Sequence, residues 1–135
     1  MRRFTADSNY HQVYVADREL EPDAPTNWTD ADVEAHFLTA DHIVALGTEA
    51  HIDADIFSCG PEDEIPDFPD PHDFEVRVSV DFPSGKIGIY GWPWEIADQH
   101  DVAPGRHDIL FRGYVINRPD EGDYYCVKIM PKTKD

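Results

Sequence analysis

The sequence predicts an all-β protein, an antiparallel β-sandwich with one short α-helix after the first strand. Most of the ordered sequence alternates apolar and polar residues at a period of two, which is the spacing of a half-buried strand. Proline, glycine and aspartate separate these short runs, and a single run has the spacing of a helix. A β-barrel is the alternative arrangement of such strands.

Length and composition predict one folded domain over residues 1–135. Hydrophobic residues make up 41% of the chain and aromatic residues 12%, which is enough for an apolar core. No apolar run approaches the ~20 residues that a membrane-spanning helix needs. The opening residues, MRRFTADSNY, place no apolar segment behind the two arginines, so we expect no signal peptide and a cytoplasmic location.

The clearest predicted strand covers residues 74–82. Its odd positions are polar and its even positions are apolar, so one face would lie on the core. The turn Pro-Ser-Gly at 83–85 leads into another apolar run, and this pattern predicts a hairpin. The predicted strands are 10–16, 42–48, 51–57, 74–82, 86–92, 106–117 and 124–130.

The helix is predicted over residues 30–38, after a proline-rich loop. Thr29 stands three residues before Asp32, the spacing of a capping box, and Asp30 and Asp32 suit the positive end of the helix dipole. Val33 and Phe37 are four residues apart and would share a face. Trp28 would then pack as a hydrophobic staple at the N-terminus of the helix.

Residues 60–75, which we call the acidic segment, carry seven carboxylates and four prolines but no lysine or arginine. The prolines stiffen the chain, so the charges would be held outward and less entropy would be lost on binding. The alternative interpretation is an ordinary solvated surface run. The carboxylates belong to Glu62, Asp63, Glu64, Asp67, Asp70, Asp73 and Glu75.

The net charge of −17 argues against direct binding to nucleic acid or to an anionic membrane, because both would be repelled. The same charge favours a basic protein partner. Aspartate outnumbers glutamate by 19 to 9, and only four lysines occur. Adaptation to a salt-rich cell gives the same bias, so it stays open as a contributor to the charge.

His51, Asp53 and Asp55 have the spacing of one strand face, and imidazole and carboxylate groups suit a divalent metal ion. A polar outer face of a strand looks the same, and no established metal motif supports the site, so we expect no metal and no cofactor. Cys59 and Cys126 are expected to be two thiols rather than a disulfide framework, although their pairing stays open.

No nucleophile elbow, phosphate-binding loop or dinucleotide fingerprint occurs, so we do not expect an enzyme. Trp92 and Trp94 are two residues apart near the end of a predicted strand. If exposed, they would anchor a protein partner or stack on a sugar. The alternative is that one of them fills the core of the sandwich.

The first third of the chain resembles the competence protein J family, the inhibitors of the bacterial DNA-entry nuclease. Residues 10–47 carry most of the resemblance, and residues 102–130 carry a looser one. The acidic segment lies outside both stretches. The shared features are the strand Tyr10-His11-Gln12 with Val13 and Val15, the block Trp28-Thr29-Asp30, Ala40-Asp41 before an apolar strand, the turn Pro104-Gly105 before Ile109 and Phe111, and a final strand with Tyr124, Tyr125, Val127 and Ile129.

The resemblance implies a small cytosolic protein that binds and silences a nuclease without catalysis of its own. A nuclease must present a cationic groove to phosphates, and a rigid acidic surface could occupy that groove. We therefore predict an immunity-type inhibitor with a basic nuclease as its partner. The predicted contact residues are Glu62, Asp63, Glu64, Asp67, Asp70, Asp73, Trp92 and Trp94.

Two alternatives remain from the sequence. A module that binds a carbohydrate or another small ligand would use Trp92, Trp94 and the strand face of His51, Asp53 and Asp55. A metal-dependent enzyme ranks after it. Whichever function holds, an edge strand could pair across a homodimer.

Overall fold

The computed structural model describes residues 1–6, 12–48, 54–91, 95–116 and 122–132, which form two five-stranded β-sheets. Sheet A has the strand order β1-β5-β10-β9-β6, and sheet B has the order β3-β4-β2-β7-β8. The predicted all-β sandwich class is confirmed. The elements are β1 (Arg2–Ala6), β2 (Gln12–Asp17), α1 (Asp30–Ala35), β3 (Phe37–Ala40), β4 (Ile43–Gly47), β5 (Ala54–Cys59), β6 (His72–Phe82), β7 (Lys86–Gly91), β8 (Glu95–Asp101), β9 (Gly105–Tyr114) and β10 (Tyr124–Ile129).

The core lies between the two sheets and consists mainly of β-branched residues with a few aromatic rings. Strand β6 contributes its even-numbered side chains, as the alternation at 74–82 predicts, while Glu75, Arg77 and Ser79 stay exposed. One continuous cluster joins both sheets, so each sheet buries one apolar face against the other. Its fully buried members include Val13, Val15, Val44, Leu46, Ile56, Phe82, Ile87, Ile89, Ile109, Phe111, Tyr125, Val127 and Ile129.

The predicted hairpin between 74–82 and 86–92 is wrong. Strand β6 pairs with β9, from His72 opposite Tyr114 to Phe82 opposite Gly105, whereas β7 pairs with β2 and β8. The turn at 83–85 therefore carries the chain from sheet A to sheet B. The alternation of side chains is the same in both arrangements, so the local pattern could not distinguish a hairpin from a crossing between sheets.

Sheet A is also not purely antiparallel, because β5 and β10 run parallel, with Tyr125 opposite Ile56. The other strand pairs of the described residues are antiparallel, as predicted. Strands β1, β3 and β8 had no counterpart in the sequence prediction. The N-terminal strand β1 pairs with β5 and forms one edge of sheet A.

Helix α1 begins as predicted but ends three residues early. The Thr29 side chain accepts from the Asp32 backbone N–H, and Asp32 accepts in return from the Thr29 backbone N–H. His36 then adopts a left-handed conformation with φ of 66°, and Phe37 pairs with Leu46 in β3. No helix in the described part of the chain is long and apolar enough to cross a membrane.

The outer face of sheet B is covered by irregular chain rather than exposed to water. Trp28 packs there against Tyr14, Ala16, Ile43 and Ala45. Val33, the residue that would complete a hydrophobic staple, remains 56% exposed. Trp28 therefore attaches the chain before α1 to the sheet, and the staple interpretation is wrong.

The crossing between the sheets is held by Asp17, whose side chain is fully buried at the end of β2. It accepts hydrogen bonds from Ser84 N–H at 2.9 Å and from the Ser84 hydroxyl at 2.7 Å. It also accepts from the backbone N–H groups of Glu19 at 3.0 Å and Leu20 at 3.2 Å. Gly85 completes the turn with a φ of 71°, where an added Cβ would lie 2.4 Å from the Val102 carbonyl oxygen.

These hydrogen bonds determine the ionisation of Asp17. Burial raises the pKa of the carboxyl group, but the donors from Ser84, Leu20 and Glu19 together outweigh it and lower the pKa below its usual range. A carboxylate with a lowered pKa stabilises the folded state above the unfolded pKa of about 3.9. That contribution is lost as the pH falls through the lower folded pKa.

We expect Asp17→Asn to lower the free energy of unfolding by roughly 2–3 kcal/mol at pH 7, because an amide supplies one acceptor oxygen where the carboxylate supplies two. Urea unfolding of both proteins at pH 7 and at pH 3 measures the effect.

The difference between wild type and variant should shrink on acidification, because below the unfolded pKa of about 3.9 the unfolded wild type takes up a proton at Asp17 and the stabilisation by the folded carboxylate declines. A difference that is the same at both pH values would contradict the role given to Asp17. Asp23→Asn serves as the control, because Asp23 is exposed in the loop after β2.

Candidate functional site

The acidic segment lies across the outer face of sheet A, between β5 and β6. Residues 60–71 form an irregular connection, and the remainder of the segment already belongs to β6. Ile65 and Phe68, the two large apolar residues within residues 60–71, turn inward onto this face. They pack on a cluster formed by Phe57, Cys59, Tyr114, Val115, Tyr124 and Cys126. The acidic segment therefore covers an apolar surface of sheet A on one side and carries charged side chains of its own.

Phe68 is the centre of this contact. Its ring centroid lies 4.9 Å from that of Phe57, 4.8 Å from that of Tyr114 and 5.1 Å from that of Tyr124. Tyr114 and Tyr124 stack on each other at 4.8 Å. Such offset and edge contacts stabilise aromatic pairs beyond simple area burial. The segment is thus attached to the sheet near its middle by one aromatic side chain.

Lys128 of β10 holds the beginning of the acidic segment. Its ammonium group lies 3.1 Å from the carbonyl oxygen of Gly60, 2.5 Å from that of Asp63 and 3.5 Å from that of Pro61. A lysine ammonium has three donors, so it can bind several carbonyl oxygens at once. Lys128 therefore fixes the local backbone through its carbonyl groups. Among the described residues it forms no ion pair with the nearby carboxylates.

Three of the six predicted carboxylates of the segment bind within the fold. Asp63 accepts from Gly60 N–H at 2.8 Å, and Asp73 accepts from Ile116 N–H at 2.8 Å. Asp70 accepts from the Tyr124 hydroxyl at 2.8 Å. The Gly60 hydrogen bond, with the nearby amino group of Met1, lowers the pKa of Asp63. Burial and the contact with Asp70 raise the pKa of Tyr124 to about 12, so its hydroxyl remains a donor at neutral pH.

The other three predicted carboxylates, Glu62, Glu64 and Asp67, are exposed. No residue in the described ranges gives them a hydrogen bond or an ion pair. The segment therefore presents three negative side chains outward from a backbone that Lys128 and Phe68 hold in place. From the sequence alone, all six carboxylates were predicted to contact the partner. Which of them bond internally depends on the side of the segment that faces the sheet, and the sequence does not show that side.

Several other predicted site residues lie outside the described ranges, namely His51, Asp53, Trp92 and Trp94. Asp55 lies in β5, and its carboxylate is 3.0 Å from the guanidinium of Arg3. Within the residues that the structure describes, no group of three histidine, cysteine or acidic side chains could hold a metal ion. The carbohydrate and metal interpretations stay predictions.

Cys59 and Cys126 are free thiols buried beneath the acidic segment. The Cys59 sulfur lies 3.9 Å from the Glu64 carbonyl oxygen. Interaction with Cys59, together with burial, raises the pKa of the Cys126 thiol well above its usual value. Cys126 therefore stays protonated and behaves as a small apolar residue in the cluster around Phe68.

A cleft of about 530 Å³ opens where the acidic segment begins. One wall is formed by residues 60–63, and the opposite wall by the end of β8 and the turn into β9. His100 lines this cleft, and a Cβ added at Gly60 would lie 2.9 Å from the Nδ1 atom of its ring. A larger residue at position 60 would therefore displace the His100 ring or the chain beside it. The sequence pattern contained no signal for this cleft, since its walls come from distant parts of the chain.

No family model and no curated protein sequence matches this chain. Two solved structures are similar to it over nearly the whole length. ComJ from Bacillus subtilis, described as an inhibitor of the DNA-degrading activity of NucA, has a TM-score of 0.77 and 16% sequence identity, covering 97% of this chain and 96% of ComJ. A protein described as crocagin biosynthetic gene J has a TM-score of 0.51 and 16% identity, covering 98% of this chain and 96% of that protein.

These comparisons concern the fold, because identity is low in both. The similarity in fold to ComJ agrees with the resemblance that residues 10–47 and 102–130 carry in sequence, and it covers 97% of the chain rather than these two stretches alone. The family resemblance inferred from the sequence is therefore supported at the level of the fold.

We expect Phe68→Ala to release the acidic segment from sheet A and to cost about 1–3 kcal/mol of stability, because three aromatic contacts are lost. Hydrogen–deuterium exchange measures this directly. The amides of residues 60–71 should exchange faster, whereas those of β2 and β4 should change only in proportion to global stability.

Phe68→Leu is the matched variant, because it keeps an apolar side chain at the same place and should retain most of the protection. Unchanged exchange across residues 60–71 in Phe68→Ala would show that Phe68 does not hold the segment.

Proposed function

We propose that this protein is a cytoplasmic inhibitor that binds a DNA-degrading nuclease and blocks it with the acidic segment. It acts by occupying the partner and has no catalysis of its own. The observation that carries the proposal is the likeness in fold, over nearly its whole length, to ComJ, an inhibitor of the DNA-degrading activity of NucA. Residues 1–135 act as a single domain in this proposal.

The charge of the chain supports the same proposal. A nuclease needs a cationic surface for the phosphates of its substrate, and a protein of net charge −17 is attracted to such a surface. Opposite charges speed the encounter of the two proteins and disfavour partners of the wrong sign. Direct binding to nucleic acid is opposed by the same field.

The geometry of the acidic segment narrows the contact to particular carboxylates. Glu62, Glu64 and Asp67 are exposed and have no hydrogen bond or ion pair with the described residues, so they lose no internal contact when a partner binds. Asp63, Asp70 and Asp73 instead hold the segment in its conformation. A segment held in this way loses little conformational entropy on binding. Trp92 and Trp94, which lie outside the described residues, remain proposed apolar anchors.

The outward carboxylates are proposed to replace DNA phosphates in the nuclease groove. A phosphate row and a row of carboxylates both present negative oxygens to arginine and lysine side chains. Inhibition is then competitive with DNA and weakens as salt rises, because exposed charge pairs are screened. Adaptation to a salt-rich cell would explain a high net negative charge. It would not make inhibition depend on the carboxylates of this segment in particular.

The triple variant Glu62→Gln, Glu64→Gln and Asp67→Asn tests this contact. It should raise the inhibition constant about tenfold or more, equivalent to about 1.4 kcal/mol, because three outward charges facing the partner are lost. The assay measures degradation of plasmid DNA by NucA from Bacillus subtilis and by the DNA-degrading fractions of the cell that makes this protein.

The matched control is Glu19→Gln, Glu34→Gln and Asp41→Asn. It removes the same charge from exposed positions near sheet B, after β2, in α1 and between β3 and β4. Because these carboxylates do not belong to the acidic segment, inhibition should change less than about twofold, apart from the weak effect of net charge that salt screens. Equal loss in both variants would refute the specific role of the segment. Absence of inhibition of every DNase by the wild type would refute the inhibitor itself.

A further inference from the structure

The cleft at the beginning of the acidic segment combines apolar walls with acceptor groups. Its apolar surface comes from Pro61, Val102, Ala103 and Pro131. Three carboxylates line the cleft, those of Glu62, Asp63 and Asp101. Among the described residues, Lys132 contributes the ammonium group of the lining. Three carboxylates against one ammonium group leave the lining negative, in a chain that is itself strongly acidic.

The floor of the cleft is fixed by His107, which is buried. Its Nδ1 atom lies 2.8 Å from the Met130 carbonyl oxygen, and its Nε2 atom lies 2.8 Å from the Ala103 carbonyl oxygen. This ring therefore joins the turn before β9 to the chain that follows β10. Both of these segments contribute walls, so the cleft is already formed before any ligand binds.

His100 forms part of the wall of the cleft, where Ser58 and Asp98 hold its ring. Its Nε2 atom lies 3.0 Å from the Ser58 hydroxyl and 3.0 Å from the Asp98 carboxylate. The second contact has the distance of an ion pair but is not aligned as a hydrogen bond, and that carboxylate oxygen is otherwise unpaired. The Nδ1 atom of the ring lies on the opposite side, toward Gly60 at the beginning of the acidic segment.

The carboxylates differ in how far they are already engaged. Asp101 lies 3.1 Å from the Lys86 ammonium and 3.6 Å from the Arg18 guanidinium, so it is shared with cations outside the cleft. Asp63 accepts a hydrogen bond from Gly60 N–H and lies 3.2 Å from the N-terminal ammonium group of Met1, so it too is shared with a cation of the fold. Glu62 has no hydrogen bond and no ion pair with the described residues. The cleft therefore offers Glu62 as a carboxylate without an internal partner among the described residues, beside two carboxylates, Asp63 and Asp101, that are shared with cations of the fold.

We propose that this cleft binds a guanidinium group, the end of an arginine side chain of a partner protein. A guanidinium is cationic, carries five donors and is weakly hydrated, so it suits acceptors set among apolar walls. The aliphatic stem of arginine can lie along Val102 and the prolines. The cleft volume exceeds what one such side chain needs and falls within the range of small-ligand pockets.

The site adjoins the surface of the proposed function, because Glu62 belongs to both. The guanidinium site rests on the proposed function in one respect only, namely that the arginine would come from the basic nuclease. An arginine seated there would anchor the partner beside Glu64 and Asp67. Buried arginines are among the residues that contribute most to the affinity of protein interfaces.

The test is an NMR titration of the ¹⁵N-labelled full chain with argininamide, with neutral citrullinamide as the matched probe. Citrulline keeps the shape of arginine but replaces the guanidinium by a urea group. Argininamide should shift the amide signals of Gly60, His100, Val102 and Ala103 in a saturable way. Citrullinamide at the same concentrations should shift them at least about fivefold less, because it lacks the charge.

Three variants make the test specific. Ala103→Trp should abolish the saturable shifts by filling the cleft, and Ala103 is exposed, so the fold should tolerate the change. Glu62→Gln should weaken argininamide binding about threefold. Lys132→Ala should strengthen it about twofold, because it removes the ammonium group from the lining.

Equal shifts with both probes, or argininamide shifts that persist in Ala103→Trp, would refute the guanidinium site. The two proposals can fail separately. Loss of argininamide binding with nuclease inhibition intact refutes only the cleft. Saturable argininamide binding without inhibition of any nuclease supports the cleft as a ligand site and refutes the proposed function.

Discussion

The constraint on which the candidate site depends is the apolar outer face of sheet A. A sandwich needs only one buried face per sheet, but β5, β9 and β10 carry Phe57, Tyr114 and Tyr124 on the other face. Water contact with these rings is unfavourable, so irregular chain must cover them. The acidic segment supplies that cover through Phe68. Its position, and therefore the position of its free carboxylates, follows from the packing of one apolar side chain.

Covering a hydrophobic surface with a highly charged segment resolves an apparent conflict. Close carboxylates repel each other, which disfavours a fixed conformation. Here half of the predicted contact carboxylates accept hydrogen bonds from the fold, and Lys128 binds the backbone carbonyls of the same stretch. The repulsion is thereby offset locally, and the remaining carboxylates face outward from a fixed backbone. A surface of this kind can recognise a cationic partner with little rearrangement.

The sequence could predict most strands but not their partners. Alternation at 74–82 gave both the strand and its buried face, since period two is a local property of the backbone. The hairpin failed because pairing is decided elsewhere, by the ten-residue match of β6 with β9 and by Asp17, which binds Ser84 at the crossing. The helix was overextended for a similar reason, because Phe37 gains more by pairing with Leu46 than by continuing α1.

The sequence by itself determined the all-β class, the capped start of the helix, the strong negative charge and the resemblance to nuclease inhibitors, because periodicity, capping and charge are carried by neighbouring residues. Only the tertiary structure decided which acids are free and which are internal, since that depends on the side of the segment that Phe68 and Ile65 turn toward the sheet. The cleft beside Gly60 was likewise decided by tertiary structure, because β8, β9 and the acidic segment meet there from distant positions in the chain.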